Sequence, residues 1–205
     1  MRDVGAIILA AGGSSRFGQP KQLLVFQGES LVRRAARAAT DAHCAQVSVV
    51  VGDSGEAIKE DLRGSSAAIV QNPDWRRGLG TSIRCGLESL LASKPDLDAV
   101  VILACDQPFV ESGTITALIA EQKKGAKPVV ASRYTKTLGI PVLFDRSRFD
   151  ALLALPDDSG AKALIESRPN DVASIEFKEG EIDIDTPADF EHLSSKPLRP
   201  ADNML

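Results

Sequence analysis

Apolar residues fall along this chain in two alternating patterns. Strand-like runs occur at Ile7–Ala10, Val47–Val51, Ala67–Val70, Ala99–Ala104, Pro128–Ser132 and Val172–Phe177. Short runs with little polar interruption suit strands buried on both faces, as in a parallel sheet covered by helices. Between them apolar residues recur at helical spacing. Leu31, Val32, Ala35, Ala36 and Ala39 form one stripe, with Arg33, Arg34 and Arg37 mostly outside it; Ile83, Leu87, Leu90 and Leu91 form a second, and Ile115, Leu118 and Ile119 a third. Ser30 stands where the first helix needs an N-cap. This alternation predicts a three-layer α/β fold with a mostly parallel central sheet. Ligands of such sheets sit beyond the carboxyl ends of the strands.

Composition narrows the class. The 205 residues are 43% apolar, enough for a substantial core, and no window approaches the length of a membrane span. Residues 1–193 read as one domain and 194–205, with two prolines and little periodicity, as a flexible tail. Met1-Arg2-Asp3 runs straight into the first strand, so no signal peptide and a cytoplasmic location are expected. Lys plus Arg total 24 against 28 Asp plus Glu, a net charge of −4 without the basic footprint of a nucleic-acid binder. Cys44, Cys85 and Cys105 are single and scattered, which fits reduced thiols rather than a disulfide framework or a zinc site. His43 and His192 lack partner motifs, so neither a Ser-His-Asp triad nor a His-ligated metal is expected.

The first strand ends in Ala11-Gly12-Gly13-Ser14-Ser15, followed by Arg16 and Lys21. Small residues let backbone N–H groups approach a ligand, and two flanking cations suit an anion such as a phosphate. Two better-known phosphate loops do not fit. Gly13 and Gly18 have Walker A spacing, but Gln19 and Pro20 stand where Lys and Ser/Thr belong. Gly12, Gly13 and Gly18 do not make the G-x-G-x-x-G dinucleotide fingerprint either.

Three further stretches carry candidate chemistry. Asn72 to Ser82 (NPDWRRGLGTS) offers glycines, hydroxyls and a helix N-terminus, a second anion-ready corner or a capped helix after a long loop. The most apolar run ends in Cys105-Asp106-Gln107-Pro108, where Asp106 is either a turn-former or one carboxylate of a Mg²⁺ site. Near the end, Thr186, Pro187 and Asp189 make a helix start. Asp183 and Asp185 alternate with isoleucines and are expected on one strand face, where they repel unless solvated or bound to a cation.

Leu9-Ala10-Ala11-Gly12-x-Ser14-x-Arg16-x-Gly18-x-Pro20-Lys21 resembles the signature loop of nucleotidyltransferases, more narrowly the MobA-like molybdenum-cofactor group, with Phe17 where Met is usual. The resemblance implies a Rossmann-like nucleotidyltransferase fold. It also implies a nucleotide site made of Leu9, Ala10, Ala11, Gly12, Gly13, Ser14, Ser15, Arg16 and Lys21, with Arg16, Lys21 and Asp106 as the catalytic set. N-P-x-W-x-x-G-x-x-x-S resembles the block that lines the nucleotide pocket in the cytidylyltransferase-like branch, which implies contacts from Asn72, Gly78 and Ser82, with Trp75 a packing anchor. D-Q-P and D-I-D-T-P-x-D resemble its metal-binding blocks, implying Mg²⁺ on Asp106 and Asp185 with Asp183 in support. Gly139 to Phe144 and Asp157 to Lys162 look like its acceptor side.

The implied reaction moves CMP from CTP to a molybdopterin-type cofactor, with a client molybdoenzyme downstream. A related guanylyl- or sugar/alcohol-phosphate transferase, and a non-catalytic carrier of the pterin cofactor, are the competing readings.

Overall fold

A computed structural model of the protein describes residues 3–13, 17–125 and 127–194. In chain order the elements are β1 (Val4–Ala10), a small hairpin of β2 (Val25–Phe26) and β3 (Glu29–Ser30), α1 (Leu31–Asp41), β4 (Gln46–Val51), α2 (Gly55–Asp61), β5 (Ala68–Gln71), α3 (Leu79–Ser93), β6 (Ala99–Ala104), α4 (Ser112–Lys123), β7 (Val129–Tyr134), β8 (Thr137–Asp145), α5 (Phe149–Leu153), α6 (Ala161–Ser167), β9 (Val172–Glu176) and α7 (Pro187–Ser194). The main sheet has seven strands in the order β5-β4-β1-β6-β8-β7-β9. β5, β4, β1 and β6 run parallel, β7 pairs parallel with β9, and only β8 runs against its neighbours.

β1 is buried along its whole length because both of its faces are covered. Successive side chains point to opposite sides of a strand. Ala6, Ile8 and Ala10 therefore join Val32, Ala35, Ala36 and Ala39 of α1 and Ile115 and Leu118 of α4. Ile7 and Leu9 join Ile83, Leu87 and Leu90 of α3 and Phe149 and Leu152 of α5. Each fully buried Leu or Ile contributes about 1.5–3 kcal/mol of transfer free energy. Two such cores, one per face, make the expected three-layer α/β fold.

β8, Arg34, residues 182–185 and Ser194 depart from expectation. β8 was not among the expected strands, because Gly139 and Pro141 interrupt its pattern. Pro141 is tolerated because the ladder to β6 runs only from Asp145 to Val142, and the ladder to β7 slips between Ala131 and Ser132. Arg34, expected outside the α1 stripe, is buried; its guanidinium donates to the carbonyl of Pro108 at 3.1 and 3.2 Å and lies over Phe26. Residues 182–185 form no strand, and Ile184 N–H reaches the sheet through one bond to the Asp106 carbonyl at 2.9 Å. Ser194, assigned to the tail, closes α7, and residues 195–205 lie outside the described residues.

Candidate active site

β1 has β4 on one side and β6 on the other, so the turn after Ala10 faces the carboxyl ends of both. Gln22 shapes that turn. Buried at 2% exposure, its side-chain amide donates to the carbonyls of Ala10 at 2.9 Å and Gly12 at 2.8 Å. With these carbonyls engaged, the turn encloses a cavity of about 450 Å³. One wall is Ala10, Ala11, Gly12 and Gly13, and another is Gly18, Gln19 and Pro20. The third comes from Gly52, Asp53 and Ser54 after β4, with Trp75. Gly52 is required there: a Cβ would stand 2.9 Å from Trp75 Cγ and 3.0 Å from the Ala11 carbonyl. Trp75 Nε1 donates to Asp53 at 3.1 Å, and Arg76 pairs with the same carboxylate while its guanidinium lies 4.6 Å above the indole. Trp75 thus anchors the loop and also walls the cavity.

Lys21 follows directly, on a 3₁₀ turn that begins after Pro20. Its ammonium donates to Asp106 Oδ2 at 2.6 Å, to Asp185 Oδ1 at 3.1 Å and to the Ile184 carbonyl at 3.5 Å. Its side chain is 13% exposed, against 23% for Asp106 and 59% for Asp185. Burial works to lower the Lys21 pKa, but the two carboxylates outweigh it and hold the ammonium above its usual range. The alternation in residues 182–185 explains the arrangement without a strand. Ile184 is fully buried among Leu24, Phe26, Leu31 and Leu193, so its neighbours Asp183 and Asp185 turn the opposite way, toward Lys21. A reciprocal capping box fixes the following helix: Thr186 N–H donates to Asp189 at 2.7 Å and Asp189 N–H to Thr186 Oγ1 at 3.2 Å.

Asp183 stands behind the Asp106 and Asp185 pair. Its carboxyl is pushed up to about 6, first by burial and then by Asp106 and Asp185, against the pull of Lys21 and Gln107. Among the described residues no ready cage of three ligating side chains exists. Two carboxylates that converge on one point and are completed by phosphate oxygens and water are, however, what Mg²⁺ takes. The donor set fits such an ion. Cys105, fully buried beside Asp106, has its thiol raised far out of the reactive range by burial, which fits packing rather than nucleophilic chemistry.

Other sequence-selected residues sit elsewhere. Leu9 is buried and packs toward α3. Asn72 and Ser82 are 2% and 3% exposed, and the Asn72 amide donates to Ser82 and Thr81 at 2.9 Å each while its carbonyl oxygen accepts from Asp74 N–H. Their hydrogen-bonding capacity is directed inward, where it pins the Trp75 loop to α3. Gly78 packs on the backbone of Asp157 and Asp158. Asp157 is clamped by Arg84 and Arg77, which hold its carboxyl below the usual range, so this stretch docks on α3. Ser14, Ser15 and Arg16 lie outside the described residues.

The mostly parallel α/β sheet, with a glycine turn, a lysine and paired carboxylates at its carboxyl edge, is a Rossmann-like fold. More narrowly, residues 6–172 match the MobA-like NTP transferase domain, and the chain belongs to that family. It is 28% identical to nicotine blue oxidoreductase of Paenarthrobacter nicotinovorans, over 81% of this chain and 83% of that one. It is 24% identical to the molybdenum cofactor cytidylyltransferase of Escherichia coli (strain K12), over 93% and 95% of the two chains. Rv0371c from Mycobacterium tuberculosis H37Rv superposes with a TM-score of 0.83 at 26% identity, covering 95% of this chain and 98% of that one. A complex of the same protein with manganese superposes at 0.76 and 25% identity, covering 95% and 99%.

Proposed function

We propose that this chain is a cytoplasmic, Mg²⁺-dependent nucleotidyltransferase, acting as one unit that runs through α7. It transfers CMP from CTP to the terminal phosphate of a molybdopterin-type cofactor with release of pyrophosphate. The observation that carries the reading is the Lys21 ammonium bracketed by Asp106 and Asp185 beside the Gly12–Gly13 cavity. Near-full-length similarity to a molybdenum cofactor cytidylyltransferase supports the choice of nucleotide and acceptor.

The backbone of Ala10 to Gly13 and the Trp75 wall hold the nucleotide across the end of β1. Arg16, Lys21 and the amides of Gly12 to Ser15 bind the β- and γ-phosphates. Asp106 and Asp185 would hold the Mg²⁺, which when bound neutralises charge developing around the α-phosphorus. Asp183 adds negative charge behind that pair. A phosphate monoester has its second pKa near 6 and is already a dianion at neutral pH, so the acceptor needs no protein base. The chain's contribution is alignment and charge complementarity. Asn72, Gly78 and Ser82 serve by positioning the Trp75 loop.

Pyrophosphate release, measured with each nucleoside triphosphate in the presence and absence of the pterin cofactor, tests the reading. Release with CTP that depends on the cofactor is expected. Equal or greater release with GTP, or with a sugar phosphate as acceptor, would replace the assigned substrates. Tight cofactor binding without release under any combination would favour a carrier.

A further inference from the structure

The nucleotide cavity occupies the β4–β1 side of the sheet edge, and the carboxylates stand at the end of β6. In an in-line displacement the acceptor enters opposite the leaving pyrophosphate, which leaves it the side beyond β6. The next strands there are β8 and β7. β7 runs antiparallel to β8, which itself runs against β6, so the hairpin between them lies at the same edge as Asp106. Tyr134, the single tyrosine in the chain, ends β7 at that hairpin.

Two glycines make room for Tyr134. A Cβ on Gly139 would overlap its hydroxyl, and one on Gly180 would overlap its ring edge. Both glycine segments are tied to the carboxylate centre by one side chain. Gln107, next to Asp106 and 5% exposed, donates to the Ile140 carbonyl at 3.3 Å and to the Gly180 carbonyl at 2.9 Å. The ring is therefore held in fixed register with Asp106. Asp183 is near enough for its charge to act on the phenol, behind the larger effect of burial. The Tyr134 hydroxyl nevertheless has no hydrogen-bond partner among the described residues. A half-buried phenol held this firmly, with its donor unengaged, is arranged for something that is not part of the chain.

We propose that Tyr134 contacts the acceptor, its hydroxyl donating a hydrogen bond to the phosphate monoester that attacks the nucleotide. Tyr134 thereby selects and orients the acceptor and plays no part in nucleotide binding. The inference rests on the transferase reading above, and the chain offers separate reporters for the two. Trp75, its single tryptophan, lines the nucleotide cavity, and Tyr134 stands on the acceptor side.

The test uses the full chain biosynthetically labelled with 3-fluorotyrosine, which places fluorine at one position. CTP with Mg²⁺ should change the Trp75 fluorescence, and adding pterin cofactor freed from a purified molybdoenzyme should then shift the fluorine resonance. Tyr134→Phe keeps the ring and removes only an unengaged hydroxyl, so its melting temperature and its KM for CTP should match the parent. Its KM for the cofactor should rise about tenfold, the scale of one hydrogen bond to a charged group. Gly139→Ala, which displaces the hydroxyl without deleting it, should raise the same KM. An unchanged cofactor KM in Tyr134→Phe, or product formation without a fluorine shift, overturns the assignment and leaves the transferase reading intact. A silent Trp75 together with no pyrophosphate would remove the transferase reading, and this inference with it.

Discussion

Asp183 offers a quantitative check on the electrostatics of the carboxylate centre. Holding a carboxyl near 6 rather than 3.8 would cost about 3 kcal/mol for a fully dry group. Asp183 keeps more than a third of its surface in water, and solvent screening reduces the expected cost to about 1 kcal/mol. The sign follows from proton linkage. Below about pH 4 the folded and unfolded chains both carry the proton. Between about 4 and 6 the folded chain retains a proton that the unfolded chain has lost, so stability falls as pH rises. Above about 6 the penalty is complete.

Asp183→Asn removes the charge and keeps the shape. At pH 7.5 in EDTA it should stabilise the protein by about 1 kcal/mol, or ~2–4 °C in Tm for a chain of this size. At pH 4.0 it should have little effect. Thermal melts of parent and variant at both pH values decide the matter. An equal shift at both, or destabilisation at pH 7.5, would refute the claim that burial, with Asp106 and Asp185 beside it, holds the Asp183 carboxyl up.

Asp106→Asn deprives Lys21 of its 2.6 Å partner and the centre of its best-buried carboxylate. Pyrophosphate release should fall at least about thousandfold in a variant whose circular dichroism is unchanged, and near-parental turnover would sink the role. Gly52→Ala pushes a methyl group toward Trp75 and the Ala11 carbonyl, so the KM for CTP should rise about tenfold with little change in cofactor KM. Thr186→Ala breaks the capping box ahead of α7 and should cost about 1 kcal/mol in urea unfolding, together with weaker metal-dependent activity because Asp185 adjoins it.

The layers of the fold were legible because β1 and β6 are unbroken apolar runs, β4 is interrupted only by Ser48 after its first residue, and α1 and α3 carry apolar stripes. β8 was not, since its glycine and proline serve contacts that the local sequence does not display: the space for Tyr134 and the slipped ladder to β7. The resemblance put Lys21 on the nucleotide and a metal on Asp106 and Asp185; what brings the three side chains together is long-range. Ile184 needs the Leu24–Phe26–Leu31 cluster before Asp183 and Asp185 acquire a direction. Gly52, Asp53 and Ser54 belong to none of the sequence motifs and form a cavity wall. The available signal was positional, a glycine at the carboxyl end of the strand beside β1, where such sheets bind ligands. Arg34 shows the opposite failure, because a charge on a helix reads as exposed until the Pro108 carbonyl that receives it is known.

The proposed function requires Asp106 and Asp185 to share one divalent ion next to the Gly12–Gly13 cavity, at the point now filled by the Lys21 ammonium. Anomalous scattering from crystals grown with Mn²⁺ and a non-hydrolysable CTP analogue addresses it most directly. One manganese peak is expected within coordination distance of an oxygen of each carboxylate, with the Lys21 ammonium moved onto the phosphates. A manganese bound elsewhere, with Lys21 still bridging Asp106 and Asp185 in the presence of nucleotide, would contradict it.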